Sequence, residues 1–364
     1  MKVLLSGGGT GGHIYPALAL MRRLKAIDPT TEFLYVGTER GLESKIVPKT
    51  GIPFKAVKVE GFKRSLSLKN LKTIQLFLQG IFKARKIVKE FAPDVVIGTG
   101  GYVCGPVVYA AAKLGIPTIV HEQNSIAGVT NKFLARYVDK IATCFEEAEA
   151  EFSKYPSKVV YTGNPRAQEV AGILPSDALG EYHLKPAVPT VLIFGGSRGA
   201  KAINTAFVES LPELAKRDYQ VLFATGEVHY EAFTKLIGRT SENVSVVPYI
   251  HNMPEIFANV SVVVSRSGAT TLAELTALGL PSILIPSPIV TNDHQTSNAK
   301  SLVKHDAAKM ITEKELTAAF LLETIDEMMD HPEKRKEMAS RAKEIGVPDA
   351  ADRLIEVINE ITSH

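Results

Sequence analysis

The sequence lacks several features that would place the protein in a special class. It contains no tryptophan, two cysteines and no apolar run near the roughly 18 residues that a membrane helix needs. The N-terminal "MKVLLSGGG" passes from a short apolar run straight into glycines, without the apolar core of a signal peptide. Cys104 and Cys144 lie far apart and near no metal-ligand spacing, which favours a reducing cytoplasm without disulfides or zinc. With 364 residues, of which 45% are apolar and 22% charged, we expect two soluble globular domains.

Carboxylate pairs of the Asp-x-Asp type are also absent. Because such a pair would hold a divalent ion beside a diphosphate, we expect neither a metal site nor a cofactor. Acidic residues are unevenly distributed as well. Residues 1–165 hold 23 Lys and Arg against 13 Asp and Glu, whereas the remainder holds 19 against 26. We therefore expect the basic half to face an anionic partner.

Ten short apolar runs alternate with segments of helical length. They are "KVLLS", "EFLYVG", "DVVIGTG", "PTIVHEQ" and "KIATC" in the first half, and "TVLIFGG", "QVLFATG", "VSVVPY", "VSVVVSRSG" and "PSILIPS" in the second. Apolar runs without strict alternation, separated by helices, are typical of parallel strands covered on both faces. The sequence therefore predicts two doubly wound α/β domains with parallel sheets.

Domain boundaries are predicted from breaks in this alternation. Asn164-Pro165 interrupts it, so the first domain is predicted to span residues 1–165 and the second residues 166–343. The remaining segment, 344–364, carries an apolar stripe at helical spacing and is predicted to form a final helix that returns to the first domain. That stripe consists of Ala351, Leu354, Ile355, Ile358 and Ile361.

The first glycine-rich stretch, "GGGTGGH" (residues 7–13), fits the pattern G-x-G-x-x-G between a predicted strand and a helix predicted from Pro16 onward. Glycines there allow a tight turn and let free backbone amides approach a phosphate. A dinucleotide site also needs an acidic residue about 20 positions further on, and Glu39 lies too late in the sequence. A tight turn without a ligand is the alternative interpretation.

Three further glycine turns follow predicted strands, namely "GTGGYVCGP" (98–106), "GGSRGA" (195–200) and "SRSGATTLAE" (265–274). All four turns fall at the carboxyl ends of parallel strands, where open α/β sheets bind ligands. A cleft lined by backbone amides and hydroxyls suits a diphosphate, whose charge Arg166 or Arg266 could meet.

Six motifs in this order and spacing give the sequence a specific resemblance. "GGTGGHIYPALA", "GGYVCGP", "HEQNSIAGVTNK", "GGSRGA", "RSGATTLAEL" and "DHQTSNA" span nearly the whole chain, which resembles the MurG family of peripheral membrane glycosyltransferases. That family transfers N-acetylglucosamine from UDP-N-acetylglucosamine to undecaprenyl-pyrophosphoryl-muramyl-pentapeptide, converting lipid I to lipid II in peptidoglycan synthesis. This sequence departs from the pattern of other family members at Arg198, at Cys104 and in the loop 286–293.

The resemblance implies an α/β GT-B fold, with two Rossmann-like domains and an interdomain cleft, and an inverting transfer without metal. It places the acceptor on the first domain and the UDP-sugar mainly on the second. The implied donor-binding residues are Thr10, Gly11, Gly12, Asn124, Arg166, Ser197, Ile250, Arg266, Ser267, Gly268, Ala269, Thr270, Thr271, Leu272, Glu274, His294 and Gln295. The implied acceptor-binding residues are Gly7, Gly8, Gly9, Gly100, Gly101 and Asn131, and the implied catalytic region contains His13, Tyr102, His121 and Glu122.

The resemblance also implies individual roles, which the chemistry of the groups allows. Glu274 would accept hydrogen bonds from both ribose hydroxyls, Ile250 would contact uracil through its backbone, and Gln295 would bind the sugar hydroxyls. His13 is the candidate general base for the acceptor's 4-hydroxyl, with Glu122 as its rival. A helix cap for His13, and a self-satisfied loop for "HEQN" (121–124), are the structural alternatives.

The segment 61–89 contains eight basic residues and no acidic one. Basic side chains around apolar ones attract an anionic membrane surface, although such a run can equally be a solvated helix face. The candidate membrane residues are Lys69, Lys72, Ile74, Leu78, Phe82, Lys83 and Lys86. Nucleic acid is not expected as a partner, since no aromatic stacking platform accompanies the basic residues.

The predicted location is therefore the cytoplasmic face of the bacterial cell membrane, with possible partners among the cell-wall synthesis proteins. Two other functions fit parts of the pattern. A UDP-N-acetylglucosamine epimerase would share the fold and the donor site, but it would not need the basic segment. A non-catalytic, membrane-associated nucleotide-sugar binder would keep Glu274 and the basic segment without turnover.

Overall fold

All ten predicted strands are present in the computed structural model, and three short edge strands add to them. The structure describes residues 1–61, 69–196 and 198–363, and only the backbone of residues 69–72. The chain divides into two compact units, one made of residues 1–168 with 349–364 and the other of residues 169–348. Each unit is built on one parallel sheet, which confirms the predicted fold class of two doubly wound α/β domains.

The first sheet has seven strands in the order β3-β2-β1-β4-β5-β6-β7, all parallel. The strands are β1 (Lys2–Ser6), β2 (Glu32–Gly37), β3 (Phe54–Ala56), β4 (Val95–Gly98), β5 (Thr118–Glu122), β6 (Lys140–Thr143) and β7 (Val159–Tyr161). The helices are α1 (Gly11–Ile27), α2 (Glu43–Ile46), α3 (Lys69–Phe91), α4 (Cys104–Ala112), α5 (Val129–Leu134), α6 (Glu147–Glu151) and α7 (Arg166–Ala171). Short 3₁₀ turns occupy Val47–Thr50 and Pro156–Lys158.

The second sheet has six parallel strands in the order β10-β9-β8-β11-β12-β13. They are β8 (Thr190–Phe194), β9 (Gln220–Ala224), β10 (Val244–Val247), β11 (Val262–Ser265), β12 (Ser282–Leu284) and β13 (Lys309–Met310). The helices are α8 (Lys201–Leu214), α9 (Glu227–Ile237), α10 (Met253–Phe257), α11 (Ala269–Leu278), α12 (His294–Lys304), α13 (Ala318–Asp330) and α14 (Pro332–Ile345). Here 3₁₀ turns occupy Ala178–Tyr182 and Thr291–Asp293.

The last helix, α15 (Ala350–Thr362), packs on the first unit. Leu354 and Ile358 are fully buried in the apolar cluster that also contains Leu20 of α1. Arg23 of α1 holds Asp352 with a two-pronged ion pair, at 2.6 Å from Nε and 2.8 Å from Nη2. Burial of its apolar stripe therefore fixes α15 on the first sheet.

Helix α1 begins at Gly11, five residues before the predicted start at Pro16. The prediction placed Pro16 at the start of the helix because proline is disfavoured in a helix interior. The prediction was wrong, since the helix contains Pro16 in its second turn. As a result Gly11, Gly12 and His13 belong to the first turn of α1 instead of a preceding loop. Among the described helices, none combines the length and the hydropathy that crossing a bilayer demands.

Candidate active site

In each unit the glycine turns meet where the strand order reverses. In the first unit, the turns after β1 and β4 lie side by side because these strands are neighbours in the sheet. In the second unit, the same holds for the turns after β8 and β11. This reversal is the place where open α/β sheets bind ligands. Both pairs of predicted glycine turns are thus brought to such a position.

His13 is held in one orientation by the loop that precedes it. Its Nδ1 lies 2.8 Å from the carbonyl oxygen of Gly8 and 3.4 Å from the hydroxyl of Thr10. Since a carbonyl can only accept, Nδ1 carries the ring proton, and the lone pair lies on Nε2. The backbone carbonyl of His13 accepts a 2.6 Å hydrogen bond from the Thr99 hydroxyl, which ties α1 to the loop after β4.

The glycines of the first turn contact other groups of the protein, whereas the sequence predicts amides that contact a phosphate. The N–H of Gly8 donates to the Gly100 carbonyl at 3.1 Å, and the N–H of Gly9 donates to the Glu43 carboxylate at 3.0 Å. A side chain at Gly7 would overlap the Thr99 hydroxyl. Both amides therefore have acceptors within the protein, and the role of Gly8 and Gly9 in binding a phosphate stays a prediction.

The turn after β4 closes around His13. Gly100 has a φ of 109° and Gly101 a φ of 87°, which non-glycine residues rarely adopt. A Cβ at Gly100 would lie 2.6 Å from Cδ2 of the His13 ring. Tyr102 is 60% exposed, so this predicted catalytic residue lies on the surface of the turn. The Cys104 thiol is buried within 2.9 Å of the Ser6 carbonyl, and burial raises its pKa to about 12.

Glu122 is embedded in a hydrogen-bonded turn. Its Oε2 accepts from the N–H of Gly128 at 2.9 Å and from the Asn131 amide at 2.8 Å, and its Oε1 accepts from the N–H of Asn124 at 3.1 Å. The residue is 2% exposed. The self-satisfied loop considered as an alternative is thus present, and it engages both carboxylate oxygens of the rival base. Oδ1 of Asn131 is buried without a hydrogen-bond partner in the described part of the chain.

His121 is fully buried and faces the backbone of neighbouring segments. Its Nε2 donates to the Gly163 carbonyl at 3.0 Å, and its Nδ1 accepts from the Gln123 amide at 2.8 Å. Gln123 also donates to the Thr99 carbonyl at 2.8 Å. Burial lowers the pKa of His121 to about 4, so the ring is neutral at physiological pH. These contacts connect β5 to the chain that follows β7.

The other donor-site candidates of the first unit lie on or near α1. Thr10 is its exposed N-cap residue, and Gly11 and Gly12 form its first turn. Arg166, the first residue of α7, places its guanidinium carbon 5.9 Å from the ring centre of Tyr15.

In the second unit, the N-terminus of α11 has the features of a ligand site. A Cβ at Gly268, the N-cap residue, would meet nothing within 4 Å. The Thr270 hydroxyl oxygen is buried and has no hydrogen-bond partner among the described residues. Neutral hydroxyls and first-turn amides at a helix N-terminus suit a phosphate. The hydroxyl of Ser267 donates a hydrogen bond to the Gln295 carbonyl at 2.8 Å.

The remaining predicted residues of α11 form its buried side and first turns. Glu274 is 7% exposed, one helical turn after Thr270, while Ala269 and Leu272 are buried and Thr271 is half-buried. Ile250 is 2% exposed and follows β10. Ser197 lies outside the residues that the structure describes.

Arg266 is engaged inside the second unit. Its guanidinium forms an ion pair with Glu313, and its Nη1 donates to the carbonyls of Ile285 and Pro286 at 3.0 Å each. The side chain is 14% exposed. The expectation that Arg266 meets the charge of a diphosphate does not match this arrangement, because an internal carboxylate already balances the guanidinium.

The predicted sugar contacts begin α12. His294 places Nδ1 2.7 Å from the Thr291 carbonyl, and Gln295 accepts from the N–H of Ser287 at 2.9 Å. Asn292 and Asp293, just before them, have φ values of 56° and 49°. Two consecutive left-handed residues other than glycine are costly, and such strain occurs preferentially at functional sites.

Two acidic residues with clear structural roles were missed from the sequence. Glu43 binds the first glycine turn, and Glu313 neutralises Arg266. The available signal for Glu43 was a carboxylate that follows Gly37 and Gly41 shortly after the second strand. In the described residues, no group of three or more His, Cys, Asp or Glu side chains could hold a metal ion.

Helix α3 presents apolar side chains to solvent on one face. Ile74, Leu78 and Phe82 are spaced by four residues and are 46%, 52% and 74% exposed. Lys83 and Lys86 are exposed beside them. The side chains of Lys69 and Lys72 are outside the described part of the structure.

Comparison with known proteins identifies the family to which the chain belongs. The sequence matches the glycosyltransferase family 28 N-terminal domain over residues 3–143 and the C-terminal domain of the same family over residues 190–354. The UDP-N-acetylglucosamine--N-acetylmuramyl-(pentapeptide) pyrophosphoryl-undecaprenol N-acetylglucosamine transferase of Latilactobacillus sakei is 59% identical over 364 residues, which cover 98% of this chain and 100% of that protein.

Solved structures agree with this assignment. The crystal structure of Acinetobacter baumannii MurG is 29% identical, with a TM-score of 0.78 and coverage of 99% of both chains. A putative UDP-N-acetylglucosamine 2-epimerase from Listeria monocytogenes has a TM-score of 0.72 over 99% of this chain and 96% of its own. At 14% identity, the latter likeness concerns the fold alone. Because both family domains match and identity to a full-length transferase reaches 59%, the chain belongs to glycosyltransferase family 28 and, within it, to the MurG family.

Proposed function

We propose that the chain transfers N-acetylglucosamine from UDP-N-acetylglucosamine to the 4-hydroxyl of lipid-linked N-acetylmuramyl-pentapeptide, with inversion at the anomeric carbon. The observation that carries this function is the 59% identity to a transferase of that name along essentially the whole chain. The fold alone does not distinguish transferases from epimerases, since both share it. The product is lipid II, and the enzyme is a UDP-N-acetylglucosamine-dependent N-acetylglucosaminyltransferase of peptidoglycan synthesis.

The donor binds the second unit, with its diphosphate at the N-terminus of α11. The open space at Gly268 and the unpartnered Thr270 hydroxyl support this placement. Glu274 binds the ribose, and the backbone of Ile250 contacts the base. The positive end of the α11 dipole stabilises the charge that develops on the leaving UDP. Arg266 contributes by holding the turn before α11, because its guanidinium is already paired with Glu313.

The acceptor binds the first unit, where His13 acts as general base. The acceptor's 4-oxygen attacks the anomeric carbon while its proton passes to Nε2 of His13. The bond from that carbon to the β-phosphate oxygen breaks, and its electron pair leaves with UDP. The Nδ1–H···O=C bond to Gly8 supports this role, because it fixes the tautomer whose lone pair is on Nε2.

Glu122 is the weaker candidate for the base. Its two oxygens accept hydrogen bonds from Asn124, Gly128 and Asn131, and protonation would disrupt them. We assign it a positioning role for Asn131, whose unpartnered Oδ1 is then available to an acceptor hydroxyl.

The membrane contact is the exposed face of α3. Its apolar residues Ile74, Leu78 and Phe82 and the neighbouring Lys83 and Lys86 suit insertion into the headgroup region of an anionic leaflet. The enzyme then works as a peripheral protein at the cytoplasmic face, where its lipid acceptor is held.

One assay separates the three candidate functions. Radiolabelled UDP-N-acetylglucosamine is incubated with and without lipid-linked muramyl-pentapeptide, and both the lipid and the nucleotide-sugar fractions are analysed. A transferase moves label into the lipid only when the acceptor is present, and EDTA should leave that transfer largely intact. Conversion of the nucleotide sugar without acceptor would favour an epimerase, and no conversion in either case would favour a non-catalytic binder.

A further inference from the structure

We propose that Glu43 is a positioning residue for His13, acting through the single peptide group that joins Gly8 to Gly9. This inference rests on the proposed role of His13 as the base. The C=O of that peptide accepts the His13 Nδ1–H bond at 2.8 Å, and its N–H donates to Glu43 Oε2 at 3.0 Å. The carboxylate, the peptide and the imidazole therefore form one continuous chain of hydrogen bonds.

Such a chain affects the imidazole because hydrogen bonds through one peptide polarise one another. A carboxylate on the N–H increases the negative charge on the carbonyl oxygen. That oxygen then binds Nδ1–H more strongly and stabilises the protonated ring that forms when Nε2 takes up a proton. The arrangement does through a peptide what the aspartate of a serine-protease triad does by direct contact.

The surroundings of Glu43 are built to hold a charged carboxylate. The residue is fully buried, and its Oε1 accepts from the N–H of Thr38 at 2.9 Å and from the Thr38 hydroxyl at 2.6 Å. Burial opposes ionisation, but the hydrogen bonds from Thr38 and Gly9 outweigh it and hold the pKa of Glu43 below its usual range. The carboxylate is thus ionised at neutral pH.

Three glycines make the space for this carboxylate. A Cβ at Gly8 would lie 2.5 Å from Glu43 Oε1, and a Cβ at Gly37 would lie 2.5 Å from its Cγ. A Cβ at Gly41 would overlap both carboxylate oxygens. Part of the glycine content that the sequence presents as a phosphate loop therefore serves to seat an internal anion.

Neighbouring titratable groups do not compete with this effect near neutral pH. Tyr35, whose hydroxyl donates to the Gly7 carbonyl at 2.9 Å, has a pKa raised well above its usual value by burial. Burial likewise raises the pKa of Cys104 to about 12. Both groups are neutral in the range where a histidine titrates, so among these neighbours Glu43 supplies the charge.

The test compares Glu43→Gln with Glu39→Gln, which removes the same charge from an exposed position in the loop that leads to α2. The titration of the His13 ring is followed by NMR in each protein, with His13→Ala to assign its signal. In Glu43→Gln the titration midpoint should fall by about 0.5 to 1 pH unit. The acidic limb of the kcat profile should move with it, while the Michaelis constant for UDP-N-acetylglucosamine stays within about twofold. Glu39→Gln should leave the midpoint unchanged.

A second measurement keeps the proposal testable if Glu43→Gln does not fold. In the wild-type protein, the Gly9 amide proton should shift as His13 titrates, because both groups share one peptide. A Gly9 signal that stays constant through that titration would overturn the proposal, as would an unchanged His13 midpoint in a folded Glu43→Gln. Full turnover by His13→Ala would instead refute the assignment of His13 as the base. The hydrogen bonds from Glu43 to His13 could still be tested by the NMR titration alone.

Discussion

The imidazole Nδ1 of His13 lies 2.8 Å from the carbonyl oxygen of Gly8, five residues earlier in the chain. This bond crosses the first glycine turn and fixes which ring nitrogen can take a proton. The turn is fixed in its own position by Gly100 and Glu43, which accept the N–H groups of Gly8 and Gly9. The histidine is therefore oriented by backbone, so its function can be tested by substitutions that leave the turn intact.

Replacement of His13 by Ala should lower turnover by roughly 10²–10⁴-fold, the contribution expected of a general base. The acidic limb of the pH profile should disappear, because the group whose protonation causes it is gone. UDP binding, measured by calorimetry, should remain, since the proposed donor site lies in the second unit. Turnover near the wild-type value would exclude His13 and return the role to Glu122.

Replacement of Glu274 by Ala should raise the Michaelis constant for UDP-N-acetylglucosamine by roughly ten- to hundredfold. Loss of a charge-assisted hydrogen bond to ribose costs about 1.5–3 kcal/mol. The constant for the lipid acceptor should change little. Glu227→Ala, at an exposed position in the first turn of α9, serves as the control. An unchanged donor constant in Glu274→Ala would assign Glu274 to the packing of α11 only.

Much of the fold could be predicted because ten strands are continuous apolar runs. The three that were missed, β3, β7 and β13, have only three, three and two residues and lie at the edges of their sheets. An edge strand has one neighbouring strand, and the residues of these three are half-buried or exposed. Such strands need fewer apolar residues and therefore give a weak signal in the sequence.

The candidate site was only partly predictable for a different reason. Motifs identified His13 and the turns, but they do not contain the partners that decide what each group does. Glu313 lies 47 residues from Arg266, and Glu43 lies 34 residues from Gly9. Contacts of this range depend on the packing of the sheet, and they showed that Arg266 and the Gly9 amide already have internal partners.

The partner of Arg266 leads to a third prediction. Arg266→Ala and Glu313→Gln should both lower the thermal stability of the second unit, because each leaves a poorly exposed charge unpaired. Their effects on the donor constant should be similar to one another. A large increase for Arg266→Ala with none for Glu313→Gln would show instead that the guanidinium binds the diphosphate directly.

The buried His121 predicts an acid-sensitive first unit. Its pKa is about 4 in the folded protein and about 6.5 in an unfolded chain, so between these values the unfolded state binds more protons. The contribution of His121 to the free energy of unfolding is fully present above about pH 6.5 and is lost as the pH drops toward 4. Between pH 7 and 5 the loss is about 2 kcal/mol. His121→Gln should be less stable at pH 7 but lose less on acidification. His305→Gln, at an exposed position, should behave like the wild type. Equal acid sensitivity in His121→Gln would assign the effect to other groups.

The exposed face of α3 predicts salt-dependent attachment to anionic membranes. Each basic residue near such a surface contributes about 1 kcal/mol, and salt weakens the attraction by shortening the Debye length. Replacing Lys69, Lys72, Lys83 and Lys86 by Glu should therefore reduce binding to anionic vesicles by roughly 10²-fold or more, while UDP binding is preserved.

The apolar side chains of the same face should contribute separately. Changing Ile74, Leu78 and Phe82 to Ser should weaken binding even at high salt, because their 46%, 52% and 74% exposed surfaces no longer enter the headgroup region. The matched control reverses Lys45 and Lys49, exposed on another part of the first unit, and should bind vesicles nearly as well as the wild type. Sedimentation with anionic and neutral vesicles over a series of salt concentrations measures both the electrostatic and the apolar contribution to binding. If the α3 variants and the control bind equally, α3 is an ordinary solvated helix face and the enzyme reaches its lipid acceptor through a different surface.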